Sequence, residues 1–309
     1  MDIAGINLVT LIASLMVAAV PILLAAIGEL VVEKSGVLNL GVEGMMIMGA
    51  IGGFMVAVAT GSPLMGFIGG AIGGAVLSLF FAVLTLGFLA NQVATGLALT
   101  MFGLGLSSLM GQGYNGVKPP PTGALFGPLG DIPVIGPILL GHDWMVYFSI
   151  LIVAVVWWVL RYTRTGLIIR AVGESHDAAH ALGYNVARIR LLCIMFGGAM
   201  AGLGGAYVSL VRVPQWVDGI TAGAGWIALA IVVFASWKPW RVLLGAYLFG
   251  GITVLQLRLQ AAGSSIPVEY LSMAPYLITI LVLVIMSSGR SKAALNAPAA
   301  LGQNFHASR

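Results

Sequence analysis

Charge is what this chain has least of. Asp, Glu, Lys and Arg together make up 8% of its 309 residues, against roughly 25% in a soluble domain. So few charges cannot clothe a water-soluble globule of this length. Cysteine is almost absent as well, and the single Cys193 can form neither an internal disulfide nor a Cys-x-x-Cys pair. His142, His176, His180 and His306 show no ligand spacing and are expected at the surface. The chain lacks a Gly-x-x-x-x-Gly-Lys-Ser/Thr phosphate loop. It also lacks a Ser-His-Asp set and a paired-carboxylate site. Catalysis, a resident metal and nucleotide binding are therefore not expected of this chain, which needs no cofactor of its own.

What is present in quantity is apolar. Hydrophobic residues reach 60% and glycine supplies 43 positions, which places the chain among polytopic membrane proteins with closely packed helices. Apolar windows of bilayer length fall near 6–29, 42–60, 64–88, 92–112, 143–162, 190–212, 223–240, 241–259 and 268–288. The predicted fold class is all-α: a polytopic transmembrane helical bundle of about 8–10 spans, with short broken or re-entrant helices and an internal repeat. Residues 1–288 form the membrane domain and 289–309 a polar cytoplasmic tail. The first segment has no positive n-region and is expected to be a retained helix. Small-xxx-small patterns at Gly49/Gly53, Gly66/Gly70/Gly74 and Gly198/Gly202 predict close helix contacts.

Two polar interruptions stand out. Residues 113–142, rich in Pro and Gly, should form an external cap of turns, and residues 163–189 a basic cytoplasmic loop. With 163–189 inside, Lys34, Arg161, Arg164, Arg170, Arg188, Arg190, Lys238, Arg241, Arg290, Lys292 and Arg309 fall inside, leaving only Lys118, Arg212 and Arg258 outside. That asymmetry sets the orientation. Tryptophans near segment ends, Trp216 and Trp237 among them, are expected to anchor at the interface. Within the basic loop, "GESHDAAHALGYN" predicts a short helix capped by Ser175 and stopped by Gly183, with Asp177 at its positive end. Such a helix is either a docking knob for a partner or an amphipathic linker lying on the membrane surface.

Asp177-Ala178-Ala179 followed by Gly183 resembles the EAA loop of ABC importer permeases, with Asp in place of Glu and without the downstream Ile-x-Leu-Pro half. The stretches "GELVVEKSGVLNLGVEGMMIMGA" (28–50), "NQVATGLALT" (91–100), "RAVGESHDAAHALGYNVARIR" (170–190) and "GWIALAIVVFASWKPWRVLLGAYLFGGITVLQLRLQ" (225–260) occur in order along nearly the whole chain. Together they resemble the permease family serving simple sugars, nucleosides and branched-chain amino acids. The nucleoside and simple-sugar branch is the nearest, at the shorter member of its two-permease systems. The resemblance implies a permease that pairs with a second, paralogous permease in a bacterial or archaeal cell membrane, surrounded by lipid. It further implies a cytoplasmic ATPase that binds ATP and Mg, an extracytoplasmic substrate-binding protein, and no nucleic-acid partner. Coupling to the ATPase would then fall on Glu174, Asp177, Ala178, Ala179 and Gly183.

Candidates for the solute path are polar residues inside apolar spans. Gly36, Gly41 and Gly44 predict a broken helix that displays Asn39 and Glu43. Glu43 either meets the solute or braces the break, since helix starts favour carboxylates. Asn91, Gln92 and Thr95 offer amides and a hydroxyl, with Asn91 and Thr95 expected on one helix face; they contact either solute or neighbouring helices. Trp226, following a Gly break at 223–225, either stacks on a ring or packs, and this region echoes residues 36–58. An autonomous gradient-driven secondary transporter is the alternative reading.

Overall fold

The computed structural model describes residues 2–3, 6–261, scattered positions between 267 and 284, and 297–306. Ten α-helices are described: α1 Leu8–Lys34, α2 Val42–Thr60, α3 Pro63–Ala82, α4 Gln92–Gly111, α5 Trp144–Tyr162, α6 Arg164–Glu174, α7 His176–Ala181, α8 Val186–Tyr207, α9 Ala224–Phe234 and α10 Pro239–Ala261. Many begin on a residue whose side chain takes up an orphan N–H. Ser62, Asn91, Asp143, Thr163, Ser175 and Asn185 accept from the backbones of Met65, Ala94, Met145, Gly166, Ala178 and Arg188 respectively. Helices α3 and α8 run on into π-turns at Val83–Gly87 and Val208–Arg212.

Seven of these segments are long and apolar enough to cross a membrane. The expected 223–240 segment is different: its helix, α9, has only 11 residues. At 1.5 Å per residue it covers roughly half of a bilayer core about 30 Å thick. Ser236 and Trp237, at φ 50° and 53°, turn the chain from α9 into α10. The 268–288 segment, and the basic residues at 290, 292 and 309, lie outside the described residues apart from scattered positions in 269–284. Between Gly111 and Asp143 the described backbone holds only short 3-10 and π-turns, at Gln112–Tyr114, Gly127–Asp131 and Gly136–Leu140.

The centre of the bundle is α2, α3 and α8 in backbone contact. A Cβ placed on Gly202 would lie 2.2 Å from the Gly70 carbonyl oxygen, one on Gly49 2.2 Å from Gly202 Cα, and one on Gly74 2.1 Å from the Gly198 oxygen. Only glycine allows that approach, so the small-residue patterns are the seam itself. Two tryptophans depart from the interfacial expectation: Trp216 and Trp237 are buried. The Trp237 indole donates to the Glu33 carboxylate, and that demand for a partner draws it inward. His142 is also buried, bonded to the Ile138 carbonyl at 3.0 Å, and His176 is nearly so, while His180 and His306 are exposed.

Candidate functional site

The chain between α1 and α2 is not helical. Gly36 adopts φ 86°, and residues 37–39 run without regular backbone pairing before α2 resumes. Buried backbone of this kind must find other partners. Asn39, fully buried, supplies two: its side-chain oxygen accepts from Gly41 N at 2.9 Å, and its own N–H donates to Glu29 at 3.3 Å. Helix α4 backs the break, with Gly96 against Gly41 and the Thr100 hydroxyl on the Leu40 carbonyl at 3.2 Å.

Glu43, in the first turn of α2, is 4% exposed and reaches across to the start of α9. One carboxylate oxygen accepts from the Thr221 hydroxyl at 2.5 Å and Gly223 N at 2.9 Å; the other accepts from Gly225 N at 2.7 Å. The two Gly-broken regions that echo each other in sequence therefore meet, and one carboxylate joins them. Gly225 lies so near that a Cβ there would come within 2.6 Å of Glu43 Cα. A carboxylate facing the free N–H groups of a helix start is favourably placed for the helix dipole as well as for hydrogen bonding. Trp226, on the next residue of α9, is 44% exposed.

Asn91 and Thr95 do not act as one polar face. Asn91 is exposed and caps α4 through Ala94 N at 3.0 Å, whereas Thr95 is buried. Gln92 is the joining residue. Its oxygen accepts from Leu38 N in the break at 2.8 Å, and its NH2 donates to Asn304 Oδ1 at 3.1 Å.

The 163–189 loop contains α6 and α7. Ser175 accepts from Ala178 N at 3.2 Å, and Gly183 takes φ 89° after the last turn. The two alanines of the motif part company. Ala178 is exposed beside Glu174 and Asp177, while Ala179 is buried against Val172 and Val186, with Phe305 from the C-terminal segment packed on the same cluster. The docking-knob expectation narrows accordingly, to Ala178 and its acidic neighbours.

Several contributors were not singled out from sequence. Arg190, counted there as a loop charge, is fully buried. It donates to the carbonyls of Ser35 at 3.2 Å and Gln303 at 2.9 Å, and its Nη2 lies 3.4 Å from His176 Nδ1. Residues 297–306 clasp the same corner: Ala300 N donates to Gly173 O, Gly302 N to Gly36 O, and Phe305 meets the rings of His176 and His180 edge-on. Outside the membrane span, burial and the Arg190 charge lower the pKa of His176 below its ordinary value. Glu29 and Glu33, buried one turn apart on α1, were also passed over, although two acids four apart in an apolar helix are a readable signal. Thr221 carried none, being an uncharged residue in a loop.

Seven membrane-length helices, a half-length helix and buried breaks joined by a carboxylate define a polytopic membrane transport protein. Residues 11–285 match the family described as branched-chain amino acid transport system / permease component, and the chain belongs to that family. It is 40% identical over 94% of its length to the Haloferax volcanii protein named "Putative glucose ABC transporter permease protein TsgC13", covering 95% of that protein. It is 35% identical to the guanosine ABC transporter permease protein NupQ of Bacillus subtilis, over 92% of this chain and 93% of that one. The nucleoside ABC transporter permease protein NupC of Lactococcus lactis is 31% identical, with 89% and 91% covered. Among solved structures, an inward-facing metal-chelate type ABC transporter superposes with a TM-score of 0.51 at 16% identity, covering 91% of this chain and 87% of that one. That likeness concerns the fold. The chain is a multi-pass cell-membrane protein and the permease component of an ABC transporter, which works with a separate ATPase and a substrate-binding protein.

Proposed function

We propose that the chain forms half of the translocation path of an importer for a nucleoside or a simple sugar, beside a paralogous permease. The solute class rests on the glucose, guanosine and nucleoside permeases among its relatives. Exposed apolar side chains on α3, α4 and α5, including Ile72, Phe80, Met101 and Leu151, suit lipid and a second permease as neighbours. Mg and ATP belong to the ATPase, and α7 is the element it grips.

The observation that carries the coupling role is the two-sided character of α7. Its outer side presents Asp177 and Ala178, and its inner side is fixed by Ala179 in an apolar cluster. A helix held this way passes a push to the body of the permease instead of yielding by itself. Closure of the ATPase pair on ATP then biases the permease between inward and outward openings. Glu43 and Asn39 brace the breaks, since their side-chain polar atoms are occupied by partners within the fold. Trp226 and Asn91, both exposed, are the members of the set free to face solute.

Vesicle uptake with partner permease, ATPase and binding protein tests this reading. Ala178→Arg adds bulk and charge outside the fold, so ATP-driven uptake and ATPase co-purification should collapse while the permease melts normally. Ala179→Arg should instead destabilise the permease itself. ATP-driven uptake and ATPase co-purification that both persist in Ala178→Arg would overturn the coupling role of α7.

A further inference from the structure

At the end of the bundle where α1 and α5 finish and α10 begins, a cavity of about 670 Å³ is lined by Lys34, Arg161, Arg170, Lys238 and Arg241. Among the described residues no carboxylate lines it, and Glu174 and Glu33 lie near Lys34. Trp157, Trp237, Trp240 and Tyr162 form the rest of its walls. The aromatic walls are ordered: Trp157 packs against Tyr162 and Trp240 at centroid distances of 5.5 and 6.0 Å, and Trp237 is tied to Glu33. Ser236 also lines the cavity, fully buried, with a hydroxyl that has no hydrogen-bond partner. A buried hydroxyl left unpaired among five cations is a donor waiting for an acceptor.

A second, apolar cavity of about 210 Å³ adjoins the first. It lies between α1, α5, α6 and α8, lined by Val31, Val155, Val159, Ile169, Leu192 and Phe196 among others, and Leu160 borders both cavities. Cations, a hydroxyl donor and indoles at the helix ends, followed by a greasy slot running into the bundle, match one kind of molecule. Arg and Lys meet a phosphate, Trp and Tyr sit at headgroup level, and the slot takes a hydrocarbon chain. The geometry points to a binding site for an anionic phospholipid, its phosphate held by Arg161, Arg241, Lys238 and Ser236 and one acyl chain laid past Leu160. A free phosphate shares the headgroup chemistry but leaves the apolar slot empty.

The tryptophans in the wall supply the readout. The full chain, purified with its partner subunits, is titrated with phosphatidylglycerol or phosphatidylcholine carrying brominated acyl chains, which quench nearby indoles. Brominated phosphatidylglycerol should quench saturably and beyond the phosphatidylcholine level. The double variant Arg161→Gln/Arg241→Gln, altered at exposed positions, should bind it about 30-fold more weakly at unchanged melting temperature, as expected for two charges near a lipid surface. Ser236→Ala should weaken it in the same direction. Equal quenching by both lipids overturns the assignment. So does full displacement by an equal concentration of inorganic phosphate, which would make the site an anion pocket only. Quenching that appears only after the ATPase is stripped from the assembly overturns it too, because the basic cluster would then be a protein-docking surface.

Discussion

Replacing Glu43 by Gln removes one charge from a carboxylate that holds three donors: the Thr221 hydroxyl and the N–H groups of Gly223 and Gly225. The amide keeps one accepting oxygen and turns an NH2 toward donors that need an acceptor. At least one buried N–H is orphaned, at about 1–3 kcal/mol, and the remaining bonds lose their charge assistance, so the total is roughly 2–5 kcal/mol. Against net stabilities of about 5–15 kcal/mol this is a large fraction. Thermal unfolding of the purified assembly should therefore drop clearly for Glu43→Gln, and uptake should fall through loss of folded permease. Solute KM in the surviving fraction should stay near the original value. A Glu43→Gln permease that melts like the original, with its solute KM raised, would refute the bracing argument and make Glu43 a solute contact.

Gly202→Ala puts a Cβ 2.2 Å from the Gly70 carbonyl, backbone that cannot yield, so α3 and α8 must separate and monodisperse yield should collapse. Gly105→Ala on the exposed side of α4 meets nothing within 4 Å and should leave yield intact. The lowered pKa of His176 has a pH consequence. The released state binds the proton more readily, so the contribution of His176 to holding the C-terminal segment is fully present above pH 6.5 and is lost as pH falls through the lower folded value. Protonation also sets His176 against Arg190, which its Nδ1 faces, with the exposed Asp177 to compensate among the described residues. The protection of the amides of residues 300–305, taken relative to their intrinsic exchange rate at each pH, should fall below pH 6.5, and His176→Asn should flatten that dependence.

Membrane class, most spans and the short capped helix at 176–181 were legible because they rest on local features: apolar run length, an N-cap serine and a terminating glycine. Depth was not legible. Arg190 stands at the edge of an apolar segment and counts in sequence as a loop charge; only the fold brings Ser35 and Gln303 around it. Trp237 looks like an interfacial anchor until Glu33, 204 residues away, appears beside its indole. The half-length of α9 was hidden because its apolar run continues toward α10, while the turn between them comes from the φ values of Ser236 and Trp237, which no residue type there announces. Glu43 was readable as a residue to watch, but its partner Thr221 was not.

The placement of the C-terminal segment bears on how a push on α7 reaches Glu43. No continuous helix joins them: α6 and α7 are short, and the break at 35–41 lies between α1 and α2. The connection runs through side contacts. Ala179 seats α7 on Val172; Gly173 holds Ala300; Gly302 holds Gly36; and Gln92 ties Asn304 to Leu38. From there Asn39 fixes the turn into α2, and Glu43 passes directly to the start of α9. Packed side chains and hydrogen bonds in unbroken succession are one route by which such coupling can travel. The same contacts do constrain the motion: a shift of α6 and α7 together that leaves the C-terminal segment in place must break the Gly173–Ala300 bond, whereas one that carries the segment along pulls on Gly36 and Gln92. Only the second keeps the Gly173–Ala300 bond, and it loads the bonds from Arg190 to Gln303 and from Asn304 to Leu89. The joint therefore favours moving as a unit, with the glycine-rich turns before α2 and α9 absorbing the displacement at its far end.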